Sequence, residues 1–280
     1  LGARVFVTVP LTFAHYVSTF FLFNREESLR NFVFDFRVHG IIFCTVLSIL
    51  AGGIINQFYD QEKDQLTKPF RTRIQKFLKQ KYFLYAYLTL NLISLGTAFL
   101  ISPRVFFFFL IYQFLMWFYS HKLSKILIVN NLTFVSLTVY PFFGMWIYYK
   151  TFSAKIFLMA IFLFLILLMI DIIKDFLTKN ADKMFGYATI PNQLGSNVSK
   201  VILGVISVLL MWISTVIISK EGIHNIMNLY FAGGLLVLVF TIYLLLNPYK
   251  KSNFLVLNIL RIWVFVGIIA MLMDGIILRF

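Results

Sequence analysis

The chain is a succession of apolar runs about as long as a bilayer is thick. The clearest, "FLMAIFLFLILLMI" from Phe157 to Ile170, has no polar side chain and stops at Asp171. About 20 mostly apolar residues are needed for a helix to cross the hydrocarbon core. Nine stretches read this way, at about 3–24, 38–58, 81–101, 104–121, 129–149, 154–175, 199–219, 225–246 and 254–278. The first is long and aromatic for a signal peptide and reads as a span. Composition agrees: 60% of the 280 residues are hydrophobic and 13% charged. Mean hydropathy is +0.87. Such a chain cannot dress a soluble surface. The expected fold is all-α: a polytopic bundle of about nine transmembrane helices forming one domain over residues 1–280. Its two longer connections, 59–80 and 176–198, are read as Asp-rich loops.

The net charge of +14 would suggest nucleic acid in a soluble protein. Here the bases fall in loops and set orientation, so no nucleic-acid partner is expected. With nine spans, the side holding both long loops carries about twice the Lys and Arg of the other, which makes it cytoplasmic. The protein is therefore expected in the cell membrane, with the bilayer as its surroundings and no obligatory protein partner. The single cysteine, Cys44, cannot form an intrachain disulfide.

The acids are few and concentrated. Of 11 Asp and Glu, six fall in two stretches: Asp60, Glu62 and Asp64, then Asp171, Asp175 and Asp182. An acid at the edge of an apolar run is costly unless paired, wet or metal-bound. Residues four apart share a helix face, so Asn56, Asp60 and Asp64 line one face and Asp171 and Asp175 another. Like charges about 6 Å apart destabilise a bare helix. A divalent cation reverses that sign, and hard oxygen ligands suit Mg²⁺, which commonly joins one or two carboxylates to substrate phosphates. Lys68 and Arg71 follow the first pair, Lys174 lies inside the second, and Lys122 and Lys125 fall in the connection between the fourth and fifth spans, on the same side of the membrane. Acids for a metal and bases for phosphate oxygens together describe a diphosphate site. The bland reading is that these charges are only solvated span ends. Two Asp-x-x-x-Asp pairs, each followed by bases, outweigh it.

Other features are ordinary. The four histidines show no metal-ligand spacing, and no P-loop, Ser-His-Asp set or Cys-rich pattern is present. Arg261 and Asp274 are too far apart along one helix to pair. "AGG" at 51–53 and again at 232–234 suits close helix contact.

These motifs resemble the UbiA superfamily of intramembrane polyprenyltransferases. The family's Asn-x-x-x-Asp-x-x-x-Asp and basic, Pro-containing turn is matched by "NQFYDQEKDQLTKPFRTR", with Asn56, Asp60, Asp64, Lys68, Pro69 and Arg71 in register. Its second Asp-rich stretch, ending Gly-x-x-Thr-Leu-Pro, is matched by "DIIKDFLTKNADKMFGYATIP". A weaker likeness to its Tyr-Ser-x-x-Leu loop is "YSHKLSKILIVNNL", with Tyr119, Lys122 and Lys125. Thr67, Thr72, Leu177 and Ala181 depart from the family's usual residues.

The resemblance implies an enzyme that transfers a polyprenyl group from an allylic diphosphate to a lipophilic acceptor and releases diphosphate. It implies Mg²⁺ on Asp60, Asp64, Asp171 and Asp175. Asn56, Lys68, Arg71, Lys122 and Lys174 would meet the diphosphate, and Asp182 would orient a base or contact the acceptor. The second motif looks closer to the branch acting on glycerophospholipids, chlorophyllides and tocopherol-type aromatics than to the 4-hydroxybenzoate branch. A chain with 34 Phe, 14 Tyr and 4 Trp has rings that could steady a carbocation, though most serve packing or face lipid. The competing reading is a cation-coupled membrane transporter using the same acids. Transporter acids usually sit near the midplane in broken helices; these sit at span ends. A non-catalytic scaffold would leave the clustering of acids without a reason.

Overall fold

The computed structural model describes residues 5–24, 28–67, 80–222, 225–247 and 251–279. Among them the chain is helical throughout, with no strand. Helix α1, Val5–Val17, contains Pro10 and runs on through wider π-type turns over Ser18–Phe23. There follow α2 (Leu29–Val33), α3 (Phe36–Tyr59), α4 (Gln61–Thr67), α5 (Gln80–Ile101) and α6 (Pro103–His121). A 3₁₀ turn over Leu123–Lys125 leads to α7 (Val129–Tyr149) and α8 (Ala154–Met184). The last four are α9 (Ile190–Gln193), α10 (Gly195–Glu221), α11 (Ile226–Leu246) and α12 (Ser252–Arg279).

Local chemistry sets the starts. The Asp35 carboxylate accepts from the Arg37 and Val38 backbone N–H groups at the head of α3. The hydroxyls of Ser102 and Ser153 accept from Val105 and Ile156, capping α6 and α8. Pro103 then fills the first position of α6, where no N–H is needed.

Seven of these helices, α3, α5, α7, α8, α10, α11 and α12, are long and apolar enough to cross a membrane. The sequence alone suggests nine. The other two are present as helices but fall short for different reasons. The apolar part of the first, Thr8–Phe23, is under 18 residues. Helix α6 has the length, but Arg104, Gln113 and His121 dilute its hydropathy.

A second correction concerns the connection expected over 176–198. Helix α8 does not stop at the membrane edge but continues to Met184. No Gly or Pro interrupts "DIIKDFLTKNADKM", so nothing ends the backbone ladder. It ends at Phe185, and Gly186 follows with φ +71°. Similarly, α3 breaks only briefly at Asp60 before α4 begins.

Packing follows small residues and shared hydroxyls. A Cβ on Gly52 would stand 2.6 Å from the Met116 sulfur, so α3 and α6 approach as they do because that Cβ is missing. Gly233 and Gly234 of α11 lie likewise under Trp263 of α12. Ser48, Ser94 and Gln113 link α3, α5 and α6: the two serine hydroxyls are 3.1 Å apart and the Gln113 amide donates to Ser48 at 3.2 Å. Helices α7 and α8 pack against each other and run antiparallel through a short turn, which brings the start of α7 beside the far end of α8.

Candidate diphosphate and metal site

Three acids share one helix. Asp171 and Asp175 are one turn apart on α8, and Asp182 follows seven residues later. Eleven residues make about three full turns, so Asp171 and Asp182 lie on nearly the same meridian, about 16 Å apart along the axis. All three are buried, Asp182 completely. They therefore form two stations rather than one cluster.

At the deeper station, Asn131 in the first turn of α7 reaches both carboxylates. Its Nδ2 donates to Asp171 Oδ2 at 2.8 Å and to Asp175 Oδ2 at 2.9 Å. Lys174 donates to Asp171 Oδ1 at 2.8 Å, and its ammonium lies 5.0 Å from the centre of the Phe134 ring.

At the upper station, the two Asp-rich segments meet. Lys63 of α4 forms an ion pair with Asp182 Oδ1. Thr178, one turn before Asp182, donates to its Oδ2 at 2.6 Å. Tyr187, in the turn after α8, donates to Asp60 Oδ1 at 2.5 Å across 127 residues of chain. Asn56 donates to the other oxygen, Asp60 Oδ2, at 2.7 Å. The Lys63 ammonium also lies 4.0 Å above the Tyr187 ring, with Lys125 at 5.4 Å. Burial and then the Asp60 carboxylate push the Tyr187 phenol well above its ordinary range. It therefore stays protonated and acts as a donor. Its backbone is fixed too: its N–H donates to the Asp182 carbonyl and its carbonyl accepts from Asn192 at 2.6 Å.

Asp64 is buried in the first turn of α4. Lys122, exposed, caps the end of α6, and Lys125 is exposed shortly before the strained Ile128 (φ 66°). Lys68 and Arg71 lie outside the described residues. Tyr187, Lys63, Asn131 and Thr178 are site residues that the sequence motifs do not single out. Asn131 does carry a signal: an amide one turn into an apolar helix that starts opposite the acids. Tyr187 and Lys63 carry none, because their contacts are made across the fold.

The donor set is compatible with a hard cation. Among the described residues no three of His, Cys, Asp and Glu stand close enough to hold a metal by themselves. Mg²⁺ does not need such a cage, since it takes one or two carboxylates and completes its shell with phosphates and water. Asp171 and Asp175, converging on a single amide nitrogen, provide that pair.

Below this station lies an apolar cavity of about 170 Å³ between α1, α7, α8, α11 and α12. On α8 its lining includes Ala160, Leu163 and Leu167. Asp171 is the next position of the same stripe, one turn on. On α7 the lining includes Thr138 and Phe142, seven and eleven residues after Asn131, again the same face. Both helices thus run from cavity wall to polar group. A charged head held at Asp171, Asp175 and Lys174 would have its hydrocarbon directed into the protein, with the mostly apolar lining excluding water.

A family model described as the UbiA prenyltransferase family matches residues 28–266. The digeranylgeranylglyceryl phosphate synthase of Thermococcus gammatolerans is 29% identical over 157 residues, covering 55% of this chain and 56% of that protein. In that pairing the match spans little more than half the relative's length. The protein of the same name from Thermococcus sibiricus is 28% identical over 240 residues, 84% of each chain. A solved UbiA homologue from Archaeoglobus fulgidus, bound to GPP and Mg²⁺, superposes with a TM-score of 0.71 at 13% identity, covering 97% of each chain; at that identity the likeness is one of fold.

Proposed function

The chain belongs to the UbiA prenyltransferase family, and from that premise we propose that this prenyltransferase moves a polyprenyl group from an allylic diphosphate to a prenylated glycerol phosphate within the membrane. The observation that carries the reading is the alignment of polar stations with an apolar cavity along single faces of α7 and α8. Asp60, Asp64, Asp171 and Asp175 are the metal-binding carboxylates in this proposal. When bound, Mg²⁺ supplies Lewis acidity to the diphosphate and holds it in place. Asn56, Lys68, Arg71, Lys122 and Lys174 receive the diphosphate charge. Asp182, buried against Lys63, is a positioning residue: it holds that ammonium over Tyr187, which in turn bonds Asp60.

The protein's part in the reaction is to hold the leaving group's charge in a fixed place and keep water from the allylic carbon. The C–O bond breaks, diphosphate departs with the electron pair, and the acceptor hydroxyl oxygen bonds to the allylic carbon while its proton passes to the departing diphosphate. The glycerol-phosphate acceptor is favoured over an aromatic one by the relatives, which are synthases of a glyceryl phosphate lipid. The chain acts as one unit, with the acid-bearing ends on the cytoplasmic side by its imbalance of Lys and Arg.

The test is transfer by purified protein in lipid nanodiscs. Labelled geranylgeranyl diphosphate is supplied with Mg²⁺ or EDTA, and with a prenylated glycerol phosphate, 4-hydroxybenzoate or homogentisate. We expect Mg²⁺-dependent product with the glycerol phosphate alone. Asp60→Ala and Asp171→Ala should each lower turnover about a thousandfold, as expected for several kcal/mol of lost transition-state stabilisation. Product with an aromatic acceptor would correct the acceptor. Mg²⁺-independent turnover, or near-normal activity in either variant, would overturn the site.

A further inference from the structure

Asn131 occupies an unusual place for a hydrogen-bonding side chain. It is 1% exposed, and one nitrogen serves two carboxylates of like charge. Among the described residues its own carbonyl oxygen, Oδ1, is buried with no donor. A buried acceptor left in this state is costly, because it has given up water and gained no donor. The NH₂ group faces both carboxylate oxygens, and this turns Oδ1 to the side where it meets no donor.

The distances show what else that position suits. In octahedral coordination with metal–oxygen bonds of about 2.0–2.1 Å, neighbouring ligand oxygens stand about 2.9 Å apart. Nδ2 is 2.8 and 2.9 Å from the two carboxylate oxygens. The end of the Asn131 side chain already lies where a third ligand atom would stand beside two carboxylate ligands. The atom there, an amide nitrogen, is the wrong one for a cation. A half-turn about the terminal torsion exchanges Nδ2 for Oδ1 with little movement of other atoms.

We propose that Asn131 is a metal ligand: when a hard divalent cation lies between Asp171 and Asp175, the Asn131 amide turns over and presents Oδ1 to it. The amide nitrogen stands in for the cation's charge while the site is empty, and the oxygen joins the shell when it is filled. Two carboxylates and one amide oxygen leave three octahedral positions for diphosphate oxygens and water. The inference rests on the proposed metal-dependent reading of the site and adds a residue to it.

The experiment separates the two. Mn²⁺ is titrated into the wild-type protein in nanodiscs with geranylgeranyl diphosphate, and free ion is read by electron paramagnetic resonance against a protein-free control holding the same donor. The same is done with Asn131→Asp and Asn131→Ala, with melting followed in parallel. If Oδ1 is a ligand, Asn131→Ala weakens Mn²⁺ binding by at least the roughly 10–100-fold lost when a partner behind a ligand is removed. Asn131→Asp, which keeps an oxygen there but cannot donate, binds at least as tightly as wild type. If Asn131 only holds the carboxylates by donating to them, the Asp variant loses as much as the Ala variant, and the proposal fails. Equal binding by wild type and Asn131→Ala also overturns it, leaving the donor site intact. No Mn²⁺ uptake by wild type would overturn the metal reading itself. A structure of the wild-type protein with Mn²⁺ tests the same point without substitution: Oδ1 against the ion supports the proposal, and an amide still bridging the carboxylates overturns it.

Discussion

Tyr187 shows what one side chain does when its partners are fixed first. Its phenol is held neutral by burial and by the Asp60 charge, so its proton is permanently available to Asp60 Oδ1. With Asn56 on the other oxygen, the carboxylate is pinned at both ends. Hydrogen bonds to a charged group contribute about 1.5–3 kcal/mol, and donors behind metal ligands typically affect metal affinity about 10–100-fold. On the proposed role of Asp60 as a metal ligand, Tyr187→Phe should raise the Mg²⁺ concentration for half-maximal turnover about tenfold, with only a small loss of melting temperature. Titrating Mg²⁺ against initial rate decides it. A lower requirement would mean that Tyr187 competes with the metal rather than orients its ligand. None of this can be read from "GYATIP". The acids are legible because charge at the end of an apolar run is costly and therefore informative. Tyr187 is one aromatic among many, and its role exists only once α4 and the end of α8 are side by side.

At the scale of elements, α8 is the part that sequence reasoning shortens. Its apolar run ends at Ile170, and from the sequence the span is expected to close at about 175 and a loop to open at 176. The helix instead continues to Met184, because the segment lacks any breaker and its acids are matched by Asn131, Lys63, Thr178 and Lys174. Leu177 lies on the exposed side of this extension. Leu177→Pro should cost about 3 kcal/mol and inactivate the enzyme by turning Asp182 out of line with Asp171. Leu177→Ala should leave stability and activity near wild type. If the proline variant melted and turned over normally, the segment would be a loop in the membrane. The docking of α4 on this extension rests on Lys63 and the fully buried Asp182. Removing one partner of a buried pair is worth about 3–5 kcal/mol, while replacing both is far milder. Lys63→Met should be markedly destabilised in a detergent melt, and Lys63→Met with Asp182→Asn should recover much of that loss. Additive losses would show that the pair is not coupled.

For the whole molecule, the bundle is legible in the sequence and its interior is not. Apolar runs of bilayer length locate helices directly, but which faces close and which leave a gap depends on contacts between distant helices. The cavity lies between α1 and four later helices, and its wall includes Gly267, whose hydrogen lies against Tyr230 where a Cβ would come within 2.8 Å. Since the lining stripe of α8 leads up to Asp171, cavity depth should govern how long a donor chain the enzyme accepts. Ala160 lies on that stripe, about 16 Å along the helix from Asp171. Ala160→Phe would put a ring across a space of only about 170 Å³. The expected result is a change in preference rather than a dead enzyme. With geranyl diphosphate kcat/KM should stay within a few-fold of wild type, because a short chain ends before residue 160. With geranylgeranyl diphosphate it should fall at least tenfold, since overpacking a filled interior costs about 1–3 kcal/mol. Competition between the two donors in one assay reads the ratio directly. An equal loss with both would place the chain elsewhere, along a groove open to lipid, and would make the stripe from Ala160 to Asp171 a packing surface.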